Sequence, residues 1–153
     1  MKISKNGILY LEKENRYINL NNVIMVTKII QNNKAKIAFN FENLVEKRNK
    51  GDLIPDFHYV FGEPAEINAF FEYIANKTTS NGLFLEINTT NGTRLVNPKK
   101  INSFFLDDET NILYLNFNSS IYGEQAGNLS ALSVKCIVNN EKDIFLSKLL
   151  QSI

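Results

Sequence analysis

The chain has 153 residues, 44% hydrophobic and 22% charged, with 11 Phe and 6 Tyr, enough apolar material to outweigh chain entropy and exclude global disorder. Its 17 Lys and Arg against 16 Asp and Glu leave a formal net charge of +1. That balance lacks the strong basic footprint with which a nonspecific duplex binder neutralises phosphates.

The opening apolar run, Ile8 to Leu11, is too short for the core of a signal peptide. No later stretch approaches the roughly 18 apolar residues that cross a bilayer, so the chain reads as cytoplasmic and free of membrane. In that setting the Asn-X-Ser/Thr matches are accidents of an Asn-rich composition. The Asn, Lys and Ile usage is what AT-biased coding favours, as in a low-GC bacterium or its phage or plasmid.

After the opening strand, residues 15–29 (NRYINLNNVIMVTKI) carry a short extended piece, an Asn-rich turn and a longer apolar strand. A third strand follows at 34–43, with Ile37, Phe39 and Phe41 on one parity and Asn40 on the other. Residues 57–61 (FHYVF) alternate as a fourth strand. The helix EPAEINAFFEYIANK then sets Ile67, Phe70, Phe71 and Ile74 at helical spacing, with Pro64 in its first turn.

The plan then recurs. Residues 92–106 (GTRLVNPKKINSFFL) overlay 15–29, with Arg16, Ile18, Asn19 and Val23 matching Arg94, Val96, Asn97 and Ile101. Leu113, Leu115 and Phe117 repeat Ile37, Phe39 and Phe41, and Asn116 repeats Asn40. SVKCIV at 133–138 is the next strand candidate. A last helix buries Leu146, Leu149, Leu150 and Ile153, with Asn140 as cap and Glu141 and Asp143 in its early turn.

The expected fold class is therefore α+β: a tandem duplication of a ββββα unit, with antiparallel sheets and a C-terminal helix in each copy. The first repeat is 1–77 and the second 78–153, joined by NKTTSNG at 76–82. Each copy is near the size at which a lone core is marginal, so the two are expected to share apolar surface as one pseudo-symmetric body.

Between the third and fourth strands the copies carry long segments at 42–56 and 118–132, beyond the usual hairpin loop. As recognition loops, the first offers Lys47, Arg48 and Lys50 to an anionic partner. Nearby Glu42, Glu46, Asp52 and Asp56 reduce that field. The second offers the Tyr122 ring and the hydrogen-bonding amides of Gln125 and Asn128. Arg94, Lys99 and Lys100 are further basic candidates around the NPKKIN turn. The bland alternative is that both loops are solvated decorations and the lysines ordinary surface residues.

Catalytic readings are weak. His58 and Cys136 sit within separate strands without metal-ligand companions, and both read as structural. Asp107, Asp108 and Glu109 lack the alternation of a calcium loop and more simply solvate a hairpin. No glycine-rich phosphate loop follows a strand. No enzyme, cofactor or metal is expected.

The function expected is a non-catalytic protein-recognition module, an adaptor, inhibitor or regulatory subunit, that binds a protein through the long loops or an exposed sheet. A homodimer is compatible with it. At the level of topology, tandem β4α units resemble the whirly and PUR-type single-strand-binding proteins over residues 3–153. That resemblance implies a single-stranded nucleic-acid surface built from Lys47, Arg48, Arg94, Lys99 and Lys100 with the Tyr17, Tyr114 or Phe105 rings. A structural component of a phage or mobile-element assembly, with a fixed homomeric interface, is the third class.

Overall fold

The computed structural model describes residues 2–46, 53–89, 92–107, 109–110, 112–117, 133–137 and 142–152. The strands in chain order are β1 (Lys2–Ile3), β2 (Ile8–Leu11), β3 (Arg16–Asn19), β4 (Val23–Gln31), β5 (Lys34–Glu46) and β6 (Leu53–Gly62), then β7 (Leu85–Thr89), β8 (Gly92–Val96), β9 (Ile101–Asp107), β10 (Ile112–Phe117) and β11 (Ser133–Ile137). Helix α1 (Pro64–Ser80) follows β6, and α2 (Lys142–Ser152) follows β11. All pairings are antiparallel, in sheets ordered β1-β2-β3, β6-β5-β4-β8-β7 and β11-β10-β9. The architecture is α+β and rich in antiparallel sheet.

Two of the strands beyond the expected plan arise because asparagine turns cut the segments 15–29 and 92–106. Asn19 Oδ1 accepts from the Asn21 backbone N–H at 3.1 Å and starts the 3-10 turn Leu20–Asn22, which separates β3 from β4. Asn97 Oδ1 does the same with the Lys99 N–H at 3.1 Å, starting the turn Pro98–Lys100 between β8 and β9. A short side-chain oxygen that captures a backbone N–H two residues on offers the chain a turn instead of a continued ladder. The β4–β5 hairpin closes on Asn32 and Asn33, at φ 51° and 62°, the two positive dihedrals of a type I′ turn, which asparagine tolerates without glycine's help.

The segment 42–56 departs from the loop expected there. Residues 42–46 and 53–56 are strand, with Leu44 opposite Pro55, Val45 opposite Ile54 and Glu46 opposite Leu53. Pro55 is compatible with β6 as the last strand of its sheet among the described residues, since proline in sheets is confined to edges, strand starts and bulges. The segment 118–132 and the cap at 140–141 lie outside the described residues.

Helix α1 buries Ile67, Phe70, Phe71 and Ile74, and continues to Ser80 through what was expected to be the junction. The Thr78 and Thr79 hydroxyls donate to the Ile74 and Ala75 carbonyls at 2.6 Å, so these polar side chains are satisfied inside the helix. The link to β7 shrinks to a turn at 81–84, with Gly82 at φ 77°. In α2, Leu149 is buried and Leu146 half-buried, but Leu150 is 60% exposed, correcting the expected stripe. Leu150 lies one position, about 100° of rotation, past the buried Leu149. Ile153 is outside the described residues.

Two apolar clusters result. One joins β2–β5, α1 and Leu95 around the fully buried Phe39 and Phe84. The other joins Ile24 and Met25 of β4 to Ile87, Val96, Leu113, Leu115, Phe117 and Leu149. β4 and β8 are their common wall, with Met25 opposite Val96, Val26 opposite Leu95 and Thr27 opposite Arg94. Asn97 pins that wall: its backbone N–H reaches the Ile24 carbonyl at 3.0 Å and its Nδ2 the Val23 carbonyl at 3.1 Å.

Asn97 is 2% exposed whereas Asn19 lies at the surface. Asn97→Ala, which removes the turn's side-chain bond and leaves a buried carbonyl short of a donor, is expected to cost about 2–4 kcal/mol. Asn19→Ala is expected to cost about 0.5–1.5 kcal/mol by urea unfolding. Equal losses would show that the Val23 bond contributes nothing.

Candidate functional site

An open groove of about 450 Å³ lies where β2 ends, β6 ends and α1 begins. Its walls are apolar: Leu11 from β2, Val60 and Phe61 from β6, and Ile67, Ala69, Phe70 and Tyr73 from α1. Ala69 and Tyr73 stand one turn apart on α1, beside the stripe that faces the core, and the small Ala69 leaves the space that defines the groove. Ile67 and Phe70 reach both the core and the groove, which makes the groove floor rigid.

The rim is the 3-10 turn Glu12–Glu14, closed by Asn15 in the left-handed region at φ 48°. Lys13 pairs with Glu66 at 3.1 Å, which ties the turn to α1. Glu14 Oε2 meets His58 Nε2 at 2.7 Å and Arg16 Nε at 3.5 Å, which ties it to β6 and β3. Exposed pairs of this kind contribute about 0–1 kcal/mol each, so they orient the rim more than they stabilise the fold. Among the charged residues that line the groove Glu12, Glu14 and Glu66 outnumber Lys13, with Glu66 facing Lys13 and Glu14 facing Arg16 and His58, so the rim's acidity is small.

Phe61, 70% exposed, sits at the groove's β6 end. It closes a row of rings on one parity of β6: Phe57 to Tyr59 at 4.9 Å and Tyr59 to Phe61 at 5.9 Å, with Lys36 Nζ 4.1 Å above the Tyr59 ring. It also borders a shallower depression of about 290 Å³ beside Lys34 and Lys36. Phe61 thus stands between an acidic-rimmed apolar groove and a small basic patch.

The sequence-derived candidates are placed differently. Arg94 is buried within the five-stranded sheet, opposite Thr27 and Ile87. Lys99 is exposed in its turn, and Lys100 Nζ pairs with Glu42 Oε2 at 2.9 Å. These three do not make one exposed basic face. Lys47, Arg48, Lys50, Tyr122, Gln125 and Asn128 lie outside the described residues. Tyr17 and Phe105 are 69% and 61% exposed, and Tyr114 is half-buried.

His58 has its ring on Glu14, and Asp107 Oδ1 accepts the Glu109 N–H at 3.0 Å in a turn. Among the described residues no three His, Cys, Asp or Glu side chains gather to hold a metal, and no helix is long and apolar enough to cross a membrane. The groove escaped the sequence reading because it is assembled from three distant segments. Its one local signal was the Ala69–Tyr73 pair displaced from the core stripe. Compared with known protein families, curated proteins and solved structures, the chain matches none significantly.

Because the Phe61 ring is mostly in solvent, Phe61→Ala is expected to change unfolding free energy by no more than about 0.5 kcal/mol. Phe39→Ala in the core is expected to cost about 3–5 kcal/mol. Calorimetry of both variants checks this; a large loss at Phe61 would make it a structural side chain rather than a contact.

Proposed function

We propose that the chain is a tandem of two equivalent units, the expected 1–77 and 78–153 with their boundary shifted past the end of α1 to the turn at 81–84, each closed by a helix, and that it serves as a non-catalytic protein-recognition module. The equivalence is supported by registers. Leu9 opposite Ile18 and Leu11 opposite Arg16 correspond to Leu85 opposite Val96 and Ile87 opposite Arg94. Val23 opposite Phe41 and Met25 opposite Asn40 correspond to Ile101 opposite Phe117 and Ser103 opposite Asn116, with the same irregularity between them. Irregularities of this kind are specific features of a strand pair, so a shared one supports common descent. The clusters correspond too: Leu9, Ile18, Val26, Ile37, Phe39 and Phe71 in one, Leu85, Val96, Phe104, Leu113, Leu115 and Leu149 in the other.

The observation that carries the binding role is the groove: apolar walls, an acidic rim and an exposed aromatic at the end of the outermost strand β6. A rigid floor lowers the ordering cost of binding. An edge strand can accept an extended segment through its main chain while a neighbouring pocket takes a side chain. The occupant is therefore a partner segment that presents a large apolar residue flanked by Lys or Arg, which the carboxylates of Glu12, Glu14 and Glu66 favour. This reading puts the binding surface at the groove, whereas the long-loop residues named from the sequence lie outside the described residues.

Selection from a random peptide library displayed on phage tests the reading. Apolar-basic peptides should be enriched, and their affinity should fall at least about tenfold with Phe61→Ala or Ala69→Arg, the second filling the groove with a like charge. Failure to enrich, or binding that ignores Ala69→Arg, rules the groove out. Single-stranded nucleic acid is the competing ligand, favoured by the exposed Tyr17 and Phe105 rings. Saturable binding of a labelled oligothymidine that weakens steeply with salt and ignores Ala69→Arg would replace the protein reading.

A further inference from the structure

We infer that β3 of one chain pairs with β9 of a second copy of the same chain, in the register that β8 and β4 use within each chain. The inference rests on the equivalence of the two units and is independent of the groove.

Within the chain, β8 lies on β4 with Thr27, Val26 and Met25 opposite Arg94, Leu95 and Val96. The strand equivalent to β8 is β3, and the strand equivalent to β4 is β9. Among the described residues each of those is the last strand of its own sheet, so the joint made once inside the molecule leaves its matching halves at two outer edges. Transferring the register puts Arg16, Tyr17 and Ile18 opposite Phe105, Phe104 and Ser103 of the second copy.

Exposure and chemistry support the transfer. Leu95 is fully buried by the internal joint, whereas its equivalent Tyr17 is 69% exposed. Thr27 is 7% exposed, whereas its equivalent Phe105 is 61% exposed. Each exposed ring already lies against an aromatic on the next strand: Tyr17 stacks on Tyr10 at 4.7 Å, and Phe105 lies 6.1 Å from Tyr114. Unpaired edges are ordinarily protected by charge, proline or brevity, so two apolar rings on such edges mark them as contact surfaces. In the transferred register Tyr17 meets Phe104 as a cross-strand aromatic pair, and the Arg16 guanidinium meets the Phe105 ring.

Asn102 and Ser103 stand on β9 where β4 has Ile24 and Met25. The contact between chains is therefore smaller and more polar than the internal joint, and it is reversible. Because β3 and β9 are different surfaces, the contact is heterologous, adding chains head to tail unless a ring closes.

Sedimentation velocity of the full chain from micromolar to millimolar concentration tests this. The average mass should rise with concentration, and Tyr17→Lys or Phe105→Lys should weaken association at least about tenfold without changing the melting curve, while Ala69→Arg leaves it intact. The register is read by disulfide trapping in a Cys136→Ser background, since directly opposed strand positions lie within bonding range. Arg16→Cys with Phe105→Cys in one chain should give a ladder of linked chains. An equimolar mixture of the two single variants should give linked pairs only, and Arg16→Cys with Asn102→Cys should give neither. A chain that stays monomeric throughout, association unchanged by both lysine substitutions, or association lost with Ala69→Arg alone overturns the inference.

Discussion

The pairing of β8 with β4 is the constraint on which the rest of the molecule depends. Neither apolar cluster is complete without it: Leu95, from the later half of the chain, fills the cluster around Phe39, and Ile24 and Met25, from the earlier half, fill the cluster around Leu115. The exchange is held by hydrogen bonds that leave little freedom of register, since Asn97 presents its own N–H to the Ile24 carbonyl and its amide to the Val23 carbonyl. A one-residue slip would turn Leu95 away from its cluster and bring Arg94 in, so burial and polar satisfaction select the same register. Units of the proposed size are marginal alone, and a shared sheet of this kind would complete both.

This geometry also positions the groove. β5 and β6 can lie at one end of the five-stranded sheet because β8 and β7 extend it at the other. α1 packs on the face that carries Ile37 and Phe39, and the turn Glu12–Glu14 comes over the outer strand. The apolar walls are thus the margin of the core itself, with Ile67 and Phe70 belonging to both. A surface made from a core margin moves only if the core moves, which keeps its shape before any partner arrives.

What was legible in the sequence was what depends on short-range pattern. Alternation marked β5 and β10, helical spacing marked the buried face of α1, and the overlay of Asn19 on Asn97 picked out two residues that start the same kind of turn. Patterns failed where one residue type serves two environments. Arg94 and Arg16 look alike in sequence, yet Arg94 lies inside the five-stranded sheet and Arg16 on an outer edge, because only the former has β4 beside it. The strand expected at 57–61 begins earlier, at Leu53, with Pro55 inside it and opposite Leu44. The groove had no pattern at all, since Leu11, Phe61 and Ala69 come together only in three dimensions.

The two proposed surfaces follow from one asymmetry. In the proposed tandem the one edge-to-edge joint consumes one edge of each kind and, among the described residues, leaves one of each kind over. Such leftovers are either blunted or used. β9 bears signs of blunting in Asn102 and Ser103, but Phe105 and Tyr17 keep apolar rings in solvent at a cost that evolution readily removes from a surface with no contact to make. Phe61 makes the same case at the groove, where an aromatic continues the Phe57–Tyr59 row beyond the point at which the core needs it. The proposed recognition groove and the proposed self-pairing edges occupy different strands. Occupation of one therefore need not exclude the other, and an assembly of chains would present its grooves in a row, raising the effective concentration of sites for a partner with repeated segments.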